Sequence, residues 1–330
     1  MHQPRLHASR LTSVLILSLA PACMTVAMAA AAPDYPSRPV RIIVPFPPGG
    51  SNDIVGRVVA TQLSERMGKP FVADNRAGGN SIIGTELAAN APPDGHTLLI
   101  ISTSFTTNPV IHKLPFDPLK SFAWVAMLGV GPNVLVVTPS FPANTVKQLI
   151  ALAKARPGQI VYASTGVGSN AHFGTEMLKS MTGIDMVHVP YKGGALALID
   201  TMAGQTQLCM GSLIQATAHI RNGKLKALAT TGGKRSPILP EVPTMIEAGV
   251  PGYETVNWWG LVAPAGTPEA IVNRLNAEIA VIMKNPEVEK RLVSEGAEPA
   301  LLSPAELGQR VAGEIAKWQR VAKQANIRGE

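Results

Sequence analysis

One stretch near the start of the chain, Arg41-Ile-Ile-Val-Pro-Phe-Pro-Pro-Gly-Gly-Ser-Asn-Asp53, constrains the fold more than any other. Its β-branched run predicts a short buried strand, which the following prolines must end because proline donates no ladder hydrogen bond. Gly49 and Gly50 leave main-chain N–H groups uncovered, and Ser51 is expected to cap the helix that follows. A strand, a bare glycine turn and a helix N-terminus together form an anion site. The alternative is an ordinary turn with no ligand.

The rest of the chain alternates strand and helix patterns in two series. In the first series, later strands end in Asn75-Arg-Ala-Gly-Gly-Asn80 and in Ser102 to Asn108, which we expect to be a hydroxyl-rich loop. In the second series, strands end in Ser164-Thr-Gly-Val-Gly-Ser-Asn-Ala-His172 and in Pro190-Tyr-Lys-Gly-Gly194. Because the carboxyl ends of parallel strands line the ligand crevice of an open sheet, these loops predict a binding cleft.

The length of 330 residues indicates two domains. Residues 110–132 read as irregular, and we expect hinges near 136–142 and 252–258. A late helix opens with a capping box, Ser303-Pro-Ala-Glu306, and is expected to pack on the first sheet. We therefore predict an α/β fold with lobe one from residues 33–135 and 256–330 and lobe two from 136–255. Each lobe would be a Rossmann-like sheet flanked by helices, as in periplasmic binding proteins, and two hinge crossings would join the lobes.

Residues 1–29 have the pattern of a signal peptide. Arg5 and Arg10 form a basic region, Leu11 to Leu19 form an apolar region, and Ala27-Met28-Ala29 is an A-x-A cleavage signal. Pro21 interrupts the apolar run, which disfavours a transmembrane helix, and a lipidation box at Cys23 fits poorly. We therefore expect a periplasmic protein that is cleaved near Ala29.

Composition disfavours several classes of function. Without Arg5 and Arg10 the formal charge falls from +7 to +5, and no Lys/Arg run indicates nucleic-acid binding. The cleaved chain would keep one cysteine, Cys209, so no internal disulfide is possible. Its histidines are scattered singly, which predicts no metal site. Gly166-Val-Gly168 lacks the third glycine of a dinucleotide motif, so no cofactor is predicted.

Two side chains have open interpretations. Ser169 and His172 are three residues apart, which allows a Ser–His nucleophile and hence a hydrolase. No nucleophile elbow surrounds Ser169, so a helix cap or a ligand hydroxyl is the favoured role. Asp53 could contact a ligand, but an acid in the first helical turn is also favoured by the helix dipole alone.

Six segments recur in order in one known family: Tyr35-Pro-Ser-Arg-Pro-Val-Arg-Ile-Ile-Val-Pro-Phe-Pro-Pro-Gly-Gly50, Asp74-Asn-Arg-Ala-Gly-Gly79, Pro93-Asp-Gly95, Tyr162-Ala-Ser-Thr-Gly-Val-Gly-Ser169, Val187-His-Val-Pro-Tyr-Lys-Gly193 and Leu261-Val-Ala-Pro-Ala-Gly-Thr-Pro268. Over the whole chain after the signal peptide, the sequence resembles the Bug solute receptors of tripartite tricarboxylate transporters. The resemblance implies a monomeric, non-enzymatic receptor that closes on a small carboxylate and delivers it to a membrane transporter. A sensing subunit of a signalling system is the alternative.

The resemblance also implies site residues. Lobe one would contribute Phe46, Pro48, Gly49, Gly50 and Asp53, and lobe two would contribute Ser164, Thr165, Gly166, Gly168, Ser169 and His172. The side walls would be Ser102 to Asn108 and Tyr191 to Gly194, including Gly193.

One strand departs from the family pattern. Where an acidic strand is common, this chain reads Gln207-Leu-Cys-Met-Gly211. We expect Gly211 to leave room for the ligand, and we expect a preference for anions that lack an amine. Alternatively, Asp53 or Asp200 supplies the missing charge.

Overall fold

The computed structural model describes residues 35–325 and residue 327 of the 330-residue chain. The predicted signal peptide, residues 1–29, lies outside the described residues. Within the described ranges no helix is both long and apolar enough to cross a membrane.

Strands and helices alternate along most of the described chain. The strands are β1 (Val40–Val44), β2 (Phe71–Asn75), β3 (Thr97–Ser102), β4 (Phe122–Val137), β5 (Val161–Ser164), β6 (Val187–Pro190), β7 (Leu208–Ser212), β8 (Lys226–Thr230), β9 (Val256–Pro264) and β10 (Glu298–Pro299). The α-helices are α1 (Ser51–Met67), α2 (Ile82–Ala89), α3 (Thr103–Ile111), α4 (Val146–Ala155), α5 (Asn170–Thr182), α6 (Gly194–Met202), α7 (Leu213–Arg221), α8 (Glu269–Met283), α9 (Pro286–Glu295) and α10 (Pro304–Ala325). A 3₁₀ turn, Gly79–Ser81, precedes α2.

The strands follow the order β2-β1-β3-β9-β4-β7-β5-β6, with β8 and β10 also paired to β4. β1 is parallel to β2 and β3, and β5 is parallel to β6 and β7, so each half of the sheet has its own parallel core. β9 is antiparallel to both β3 and β4. The result is a mixed α/β architecture in which two parallel cores are joined through β4 and β9.

The 16-residue strand β4 connects the two halves. It pairs with β9 as far as Pro132, and from Asn133 onward it pairs with β7. The return crossing lies at Thr255, whose N–H donates to Thr231 O, directly before β9. The backbone thus changes sheets at residues 132–133, three residues before the predicted boundary after residue 135. The division into lobes itself stays a prediction.

The expectation that residues 110–132 are irregular is wrong, because β4 begins at Phe122. Gly129 and Gly131 interrupt the apolar pattern typical of a strand, and the structure shows why glycine is required at both positions. A Cβ at Gly129 would lie 2.9 Å from Glu298 O, and one at Gly131 would lie 2.9 Å from Gly296 O. Glycine is therefore needed where the segment before β10 approaches this strand closely.

The expected loop from Ser102 to Asn108 is also wrong, since α3 begins at Thr103. Thr106 and Thr107 donate their hydroxyl groups to carbonyl groups of the same helix, as Thr106 Oγ1 does to Thr103 O at 2.8 Å, whereas Thr103 Oγ1 donates to Asn257 Oδ1. Thr103 and Thr106 are fully buried, so packing overrides their weak helix propensity. Residues 245–248 lie in hydrogen-bonded turns, and Thr244 before them forms an isolated bridge with Thr230.

Two helix ends agree with the sequence pattern, and one does not. Gly68 ends α1 in the left-handed conformation with φ 70°, and its N–H donates to Ser64 O. The capping box is confirmed: Ser303 N donates to Glu306 Oε2 at 2.8 Å, and Glu306 N donates to Ser303 Oγ at 3.3 Å. Ser51 does not cap α1, because Gly50 occupies the cap position and the helix already includes Ser51.

The late helices pack on the first half of the sheet and also reach the second half. In α8, Ile271, Leu275 and Ile279 join the core of β1 and β3. α10 buries its first turns near β3, and further along its Trp318 meets Phe173 of α5 edge-on, with ring centroids 5.3 Å apart. α10 therefore joins elements from both halves.

We expect Trp318→Ala to lower the free energy of unfolding by about 3–5 kcal/mol, because the indole is fully buried and its removal leaves a cavity. Denaturant unfolding measures this loss. Lys323→Ala on the same helix is the control, since Lys323 is exposed and its loss should change stability by less than about 0.5 kcal/mol. Equal stability of the two variants would contradict the bridging role of Trp318.

Candidate functional site

A cavity lies where the loops after β1, β3, β5, β6 and β7 meet. Both crossing strands contribute to it, through Asn133 and Asn257. The remaining lining residues are Phe46, Pro47, Gly50, Ser51, Asn52, Ser102, Ser104, Thr165, Asn170, Ala171, Lys192, Gly193, Gly194, Ala195, Leu196, Met210, Ser212 and Gln215.

The first residues of five helices line this cavity. They belong to α1, α3, α5, α6 and α7, and they are Ser51, Asn52, Ser104, Asn170, Ala171, Gly194 and Ala195, with the cap residue Ser212. A helix N-terminus exposes unpaired N–H groups and carries partial positive charge. Five such ends directed at one cavity favour an anionic ligand.

Three buried polar atoms in the lining have no hydrogen-bond partner among the residues that the structure describes: Asn52 Oδ1, Asn170 Nδ2 and Ser212 Oγ. Buried polar groups are normally paired, so these atoms indicate where a ligand or its hydration water bonds. The sequence interpretation missed all three residues. Asn52 and Asn170 lie inside the glycine-rich stretches that predicted the cleft, but nothing in the sequence distinguishes an inward side chain there from an outward one.

Lys192 is the one charged residue among the described residues that line the cavity, and no Asp or Glu is among them. The Lys192 side chain is exposed at the cavity and forms no ion pair with any described residue. A ligand with a second negative charge therefore has one side chain available to neutralise it.

The structure divides the predicted site residues into two groups. Phe46, Gly50, Ser102, Thr165 and Gly193 line the cavity. The others lie in or behind the same loops without lining it, namely Pro48, Gly49, Asp53, Asn108, Ser164, Gly166, Gly168, Ser169, His172 and Tyr191. Which of these residues contact a ligand stays a prediction.

Asp53 holds the glycine turn from behind. Its Oδ2 accepts the N–H of Gly49 at 3.0 Å, its Oδ1 accepts Asn75 Nδ2 at 2.9 Å, and Arg57 Nε lies 3.0 Å from both oxygens. Burial alone would raise the pKa of Asp53, but the hydrogen bonds from Arg57, Gly49 and Asn75 outweigh it and hold the pKa below its usual value. Both oxygens are engaged, so this carboxylate positions the loop.

Asn108 and Asn80 hold a second turn. Asn108 Nδ2 donates to Asn80 O at 2.8 Å, and Asn80 Nδ2 donates to Asn108 Oδ1 at 3.0 Å. Asn80 has a left-handed φ of 48°, which this pairing stabilises. Asn80 also lies against Gly166 of the loop after β5, so the pair supports contact between loops of the two sheet halves.

Ser169 caps α5, as the sequence favours: its Oγ accepts the N–H of His172 at 3.2 Å. The His172 imidazole faces elsewhere, with Nδ1 accepting the N–H of Gly168 at 3.2 Å. Burial, with a smaller effect from Lys179, lowers the pKa of His172 to about 4. The geometry gives Ser169 no base, so it does not support a Ser–His nucleophile.

The expectation that Gly211 leaves room for the ligand is wrong. A Cβ at Gly211 would lie 3.1 Å from Leu198 Cδ2 in the core beneath α6. Its neighbours Met210 and Ser212 line the cavity instead, because successive side chains of a strand point to opposite faces. Gln207 is also structural, since its Oε1 accepts Val161 N at 2.7 Å.

A family model described as the tripartite tricarboxylate transporter family receptor matches residues 55–327. The chain belongs to this receptor family. Bug proteins are among its relatives: BugT of Bordetella pertussis is 35% identical over 326 residues, covering 98% of this chain and 99% of that protein.

Solved structures give the same assignment. A Rhodopseudomonas palustris protein, described as Rpa4515 with adipate, superposes with a TM-score of 0.88 at 38% identity, covering 90% of this chain and 100% of that one. MatC of Rhodopseudomonas palustris, described with bound malate, superposes with a TM-score of 0.82 at 32% identity and covers 87% and 99%. The fold is therefore that of the periplasmic solute receptors of this family.

We expect Asp53→Asn to destabilise the protein by about 1–3 kcal/mol at pH 7, because an amide cannot accept all the hydrogen bonds of the carboxylate. The folded pKa lies below the unfolded value of about 3.9, so the stabilisation is full above that pH and is lost as the pH falls through the folded pKa.

Urea unfolding at several pH values tests this prediction. The stability difference between wild type and Asp53→Asn should shrink in acid. Asp185→Asn is the control, because that carboxylate is 67% exposed and should show a small difference at every pH. A difference for Asp53→Asn that does not change with pH would contradict the assignment.

Proposed function

We propose that this receptor binds a small carboxylate in the cavity and delivers it to a tripartite membrane transporter. The observation that carries the proposal is the convergence of five helix N-termini on a cavity whose described lining contains no acidic residue. Adipate and malate in the solved relatives support the same class of ligand. The unpaired Asn170 Nδ2 and Ser212 Oγ add two side-chain donors for carboxylate oxygens.

The lining also supports exclusion of amino acids. A ligand ammonium in this cavity would meet no carboxylate among the described lining residues. An unpaired charge in a partly dry cavity carries a large desolvation cost. The expected preference for anions without an amine thus rests on the composition of the lining and not on Gly211.

The binding groups come from both halves of the sheet, so we propose that the ligand closes two lobes over itself. Opposing loops are already near each other: a Cβ at Gly193 would lie 3.1 Å from Pro47 Cδ, and Gln215 Nε2 lies 3.5 Å from Gly49 O. We propose hinges at residues 132–133 and 255–256, where the backbone changes pairing partners; the first lies before the expected range 136–142 and the second lies within the expected range 252–258.

We propose further that the receptor is released into the periplasm by cleavage near Ala29 and acts there as a monomer. We propose that it acts without enzymatic activity, and the geometry at Ser169 supports this: Ser169 caps α5, and the His172 imidazole accepts the N–H of Gly168 instead of facing that hydroxyl.

Calorimetry with succinate, malate and adipate should give micromolar affinity, about −8 kcal/mol. Two or three charge-assisted hydrogen bonds contribute roughly 1.5–3 kcal/mol each, and the cost of ordering both partners offsets part of that sum. The corresponding diamides and the α-amino acid aspartate should bind much more weakly. Equal affinity for acids and amides would reject the carboxylate assignment.

Lys192→Ala should weaken dicarboxylate binding about tenfold and leave monocarboxylate binding nearly unchanged, because only the second charge needs the ammonium group. Calorimetry with adipate and with hexanoate separates these effects. Lys192→Arg should restore most of the affinity, and Lys224→Ala, which changes an exposed lysine that does not line the cavity, is the control. If Lys192→Ala lowered the affinity for adipate and for hexanoate equally, Lys192 would act through the overall positive field of the cavity and not by pairing with a second carboxylate.

A further inference from the structure

Three aromatic rings stack behind the loop that joins β5 to α5. His172 on α5 and His188 on β6 have ring centroids 4.2 Å apart and planes within 9° of parallel. Tyr162 on β5 stacks on His188, with centroids 4.8 Å apart. None of the three rings lines the cavity, so the stack supports the loop without facing the ligand.

Each imidazole holds a different part of this loop. His188 Nε2 lies 2.6 Å from Ser164 Oγ, and that hydroxyl also accepts the N–H of Gly166 at 3.1 Å. His172 Nδ1 accepts the N–H of Gly168 at 3.2 Å. Gly168 has a left-handed φ of 79°, and Thr165, between the two attachment points, lines the cavity. The rings therefore set the shape of a ligand-facing segment.

The bond from Gly168 fixes the tautomer of His172. Nδ1 must present a lone pair to this N–H, so the ring proton lies on Nε2. An imidazolium carries protons on both nitrogens and cannot accept a hydrogen bond. Protonation of His172 would therefore replace the hydrogen bond from Gly168 with a repulsive contact between two N–H groups, that of Gly168 and that of the protonated Nδ1.

We propose that His172 and His188 are positioning residues that hold residues 164–168 in the ligand-binding shape, and that protonation of His172 releases this hold. The consequence for binding rests on the proposed function: affinity for a carboxylate falls in acid more than protonation of the ligand explains. The receptor then carries a pH response within its own binding loop.

The charged groups around the stack come mainly from α5. Glu176 accepts the Tyr162 hydroxyl at 2.7 Å and Lys179 Nζ at 2.8 Å. Asp185, before β6, lies 3.9 Å from Lys179 Nζ. Glu176 is therefore already neutralised by the lysine, and it does not bond to either imidazole.

Two other helices pack against α5. α10 brings Glu314 and Lys317 to the indole of Trp318, which contacts Phe173, the residue after His172. α3 carries His112 at its C-terminal cap. None of these groups forms a hydrogen bond or an ion pair with the stacked imidazoles in the described part of the chain.

Burial sets the pH range of the response. It lowers the pKa of His172 to about 4 and that of His188 to about 3, with the neighbouring ring a smaller cause for His188. A histidine whose folded pKa is depressed stabilises the fold fully above its unfolded pKa of about 6.5. That contribution decreases as the pH falls from there toward the folded value.

His172→Phe tests the proposal, because phenylalanine keeps a ring in the stack and lacks the acceptor for Gly168. At pH 7.5 we expect adipate and malate to bind about tenfold more weakly to this variant, as measured by calorimetry. The ratio of wild-type to variant affinity should stay near ten down to about pH 5 and should fall toward one as the pH drops below about 4, where His172 becomes protonated. Ligand protonation affects both proteins equally and cancels in the ratio. His219→Phe, which changes a histidine outside the cavity lining, should follow the wild type throughout.

A second measurement needs no ligand. Amide hydrogen exchange at Gly168, followed by NMR, should be slower in the wild type than in His172→Phe at neutral pH, and this difference should vanish in acid. His188→Phe, which keeps the stack and loses the contact with Ser164, should also bind more weakly at pH 7.5. It serves as the test variant if His172→Phe does not fold, as judged by thermal unfolding.

The outcomes separate the two proposals. If the wild type binds neither adipate nor malate nor any other carboxylate at pH 7.5, the proposed function fails, and exchange at Gly168 alone decides the role of His172. If the wild type binds and the affinity ratio is one at pH 7.5, the positioning role is overturned. If the ratio is near ten at pH 7.5 and does not decline below pH 4, the release of the loop on protonation is overturned. A ratio near ten that declines in acid supports it.

Discussion

The architecture depends on the pairing of one long strand with two sets of neighbours. β4 pairs with β9 up to Pro132 and with β7 from Asn133, so one continuous strand joins the two parallel cores. This pairing directs the carboxyl ends of β1, β3, β5 and β7 toward one cavity. Asn133, the first residue after the change of sheet, lines that cavity, where its Nδ2 donates to Asn170 Oδ1 at 2.7 Å. The proposed hinge and the cavity therefore share a residue.

Each half of the site has the same two layers. In front, helix N-termini present main-chain N–H groups to the cavity. Behind, a buried polar residue holds the glycine-bearing loop: Asp53 accepts the N–H of Gly49 in one half, and His172 accepts the N–H of Gly168 in the other. Glycine loops lose much conformational entropy on ordering, so a supporting contact is needed to hold them in one shape. A carboxylate performs this task in one half and an imidazole in the other. Burial acts to raise the pKa of the carboxylate and to lower the pKa of the imidazole.

Much of the architecture could be predicted from the sequence. Local patterns such as the β-branched run of β1 and the capping box at Ser303 could be predicted, and the structure confirms them. The family assignment followed from motifs distributed along the chain, and it is confirmed. The errors arose where long-range packing decides the conformation. Thr103 and Thr106 form a helix because they are buried, and Gly129 lies in a strand because another segment approaches it.

The candidate site was harder to predict than the fold, for a related reason. Motifs identify loops, but the orientation of a side chain within a loop depends on contacts with distant segments. Asp53 and His172 belong to the motif stretches and yet point backward, whereas Asn52 and Asn170, adjacent or nearly adjacent to them, line the cavity. Ser212 lies at the end of β7. Its side chain faces the cavity because the strand pairing places Gly211 against Leu198, on the opposite face of the strand.

In this arrangement, the residues that support the loops must be kept, whereas the side chains that only reach the ligand can change. The main-chain N–H groups at five helix ends recognise negative charge whatever the neighbouring side chains are, provided that the supporting residues hold the loops. Selection among anions then rests on the few side chains that reach past the backbone, of which Lys192 is the charged one in the described lining. Substitution of such a residue alters the preferred ligand at little cost to folding, because Lys192 is exposed and supports no loop. Asp53 and His172 lack this freedom, since each is bonded to the backbone that the ligand requires.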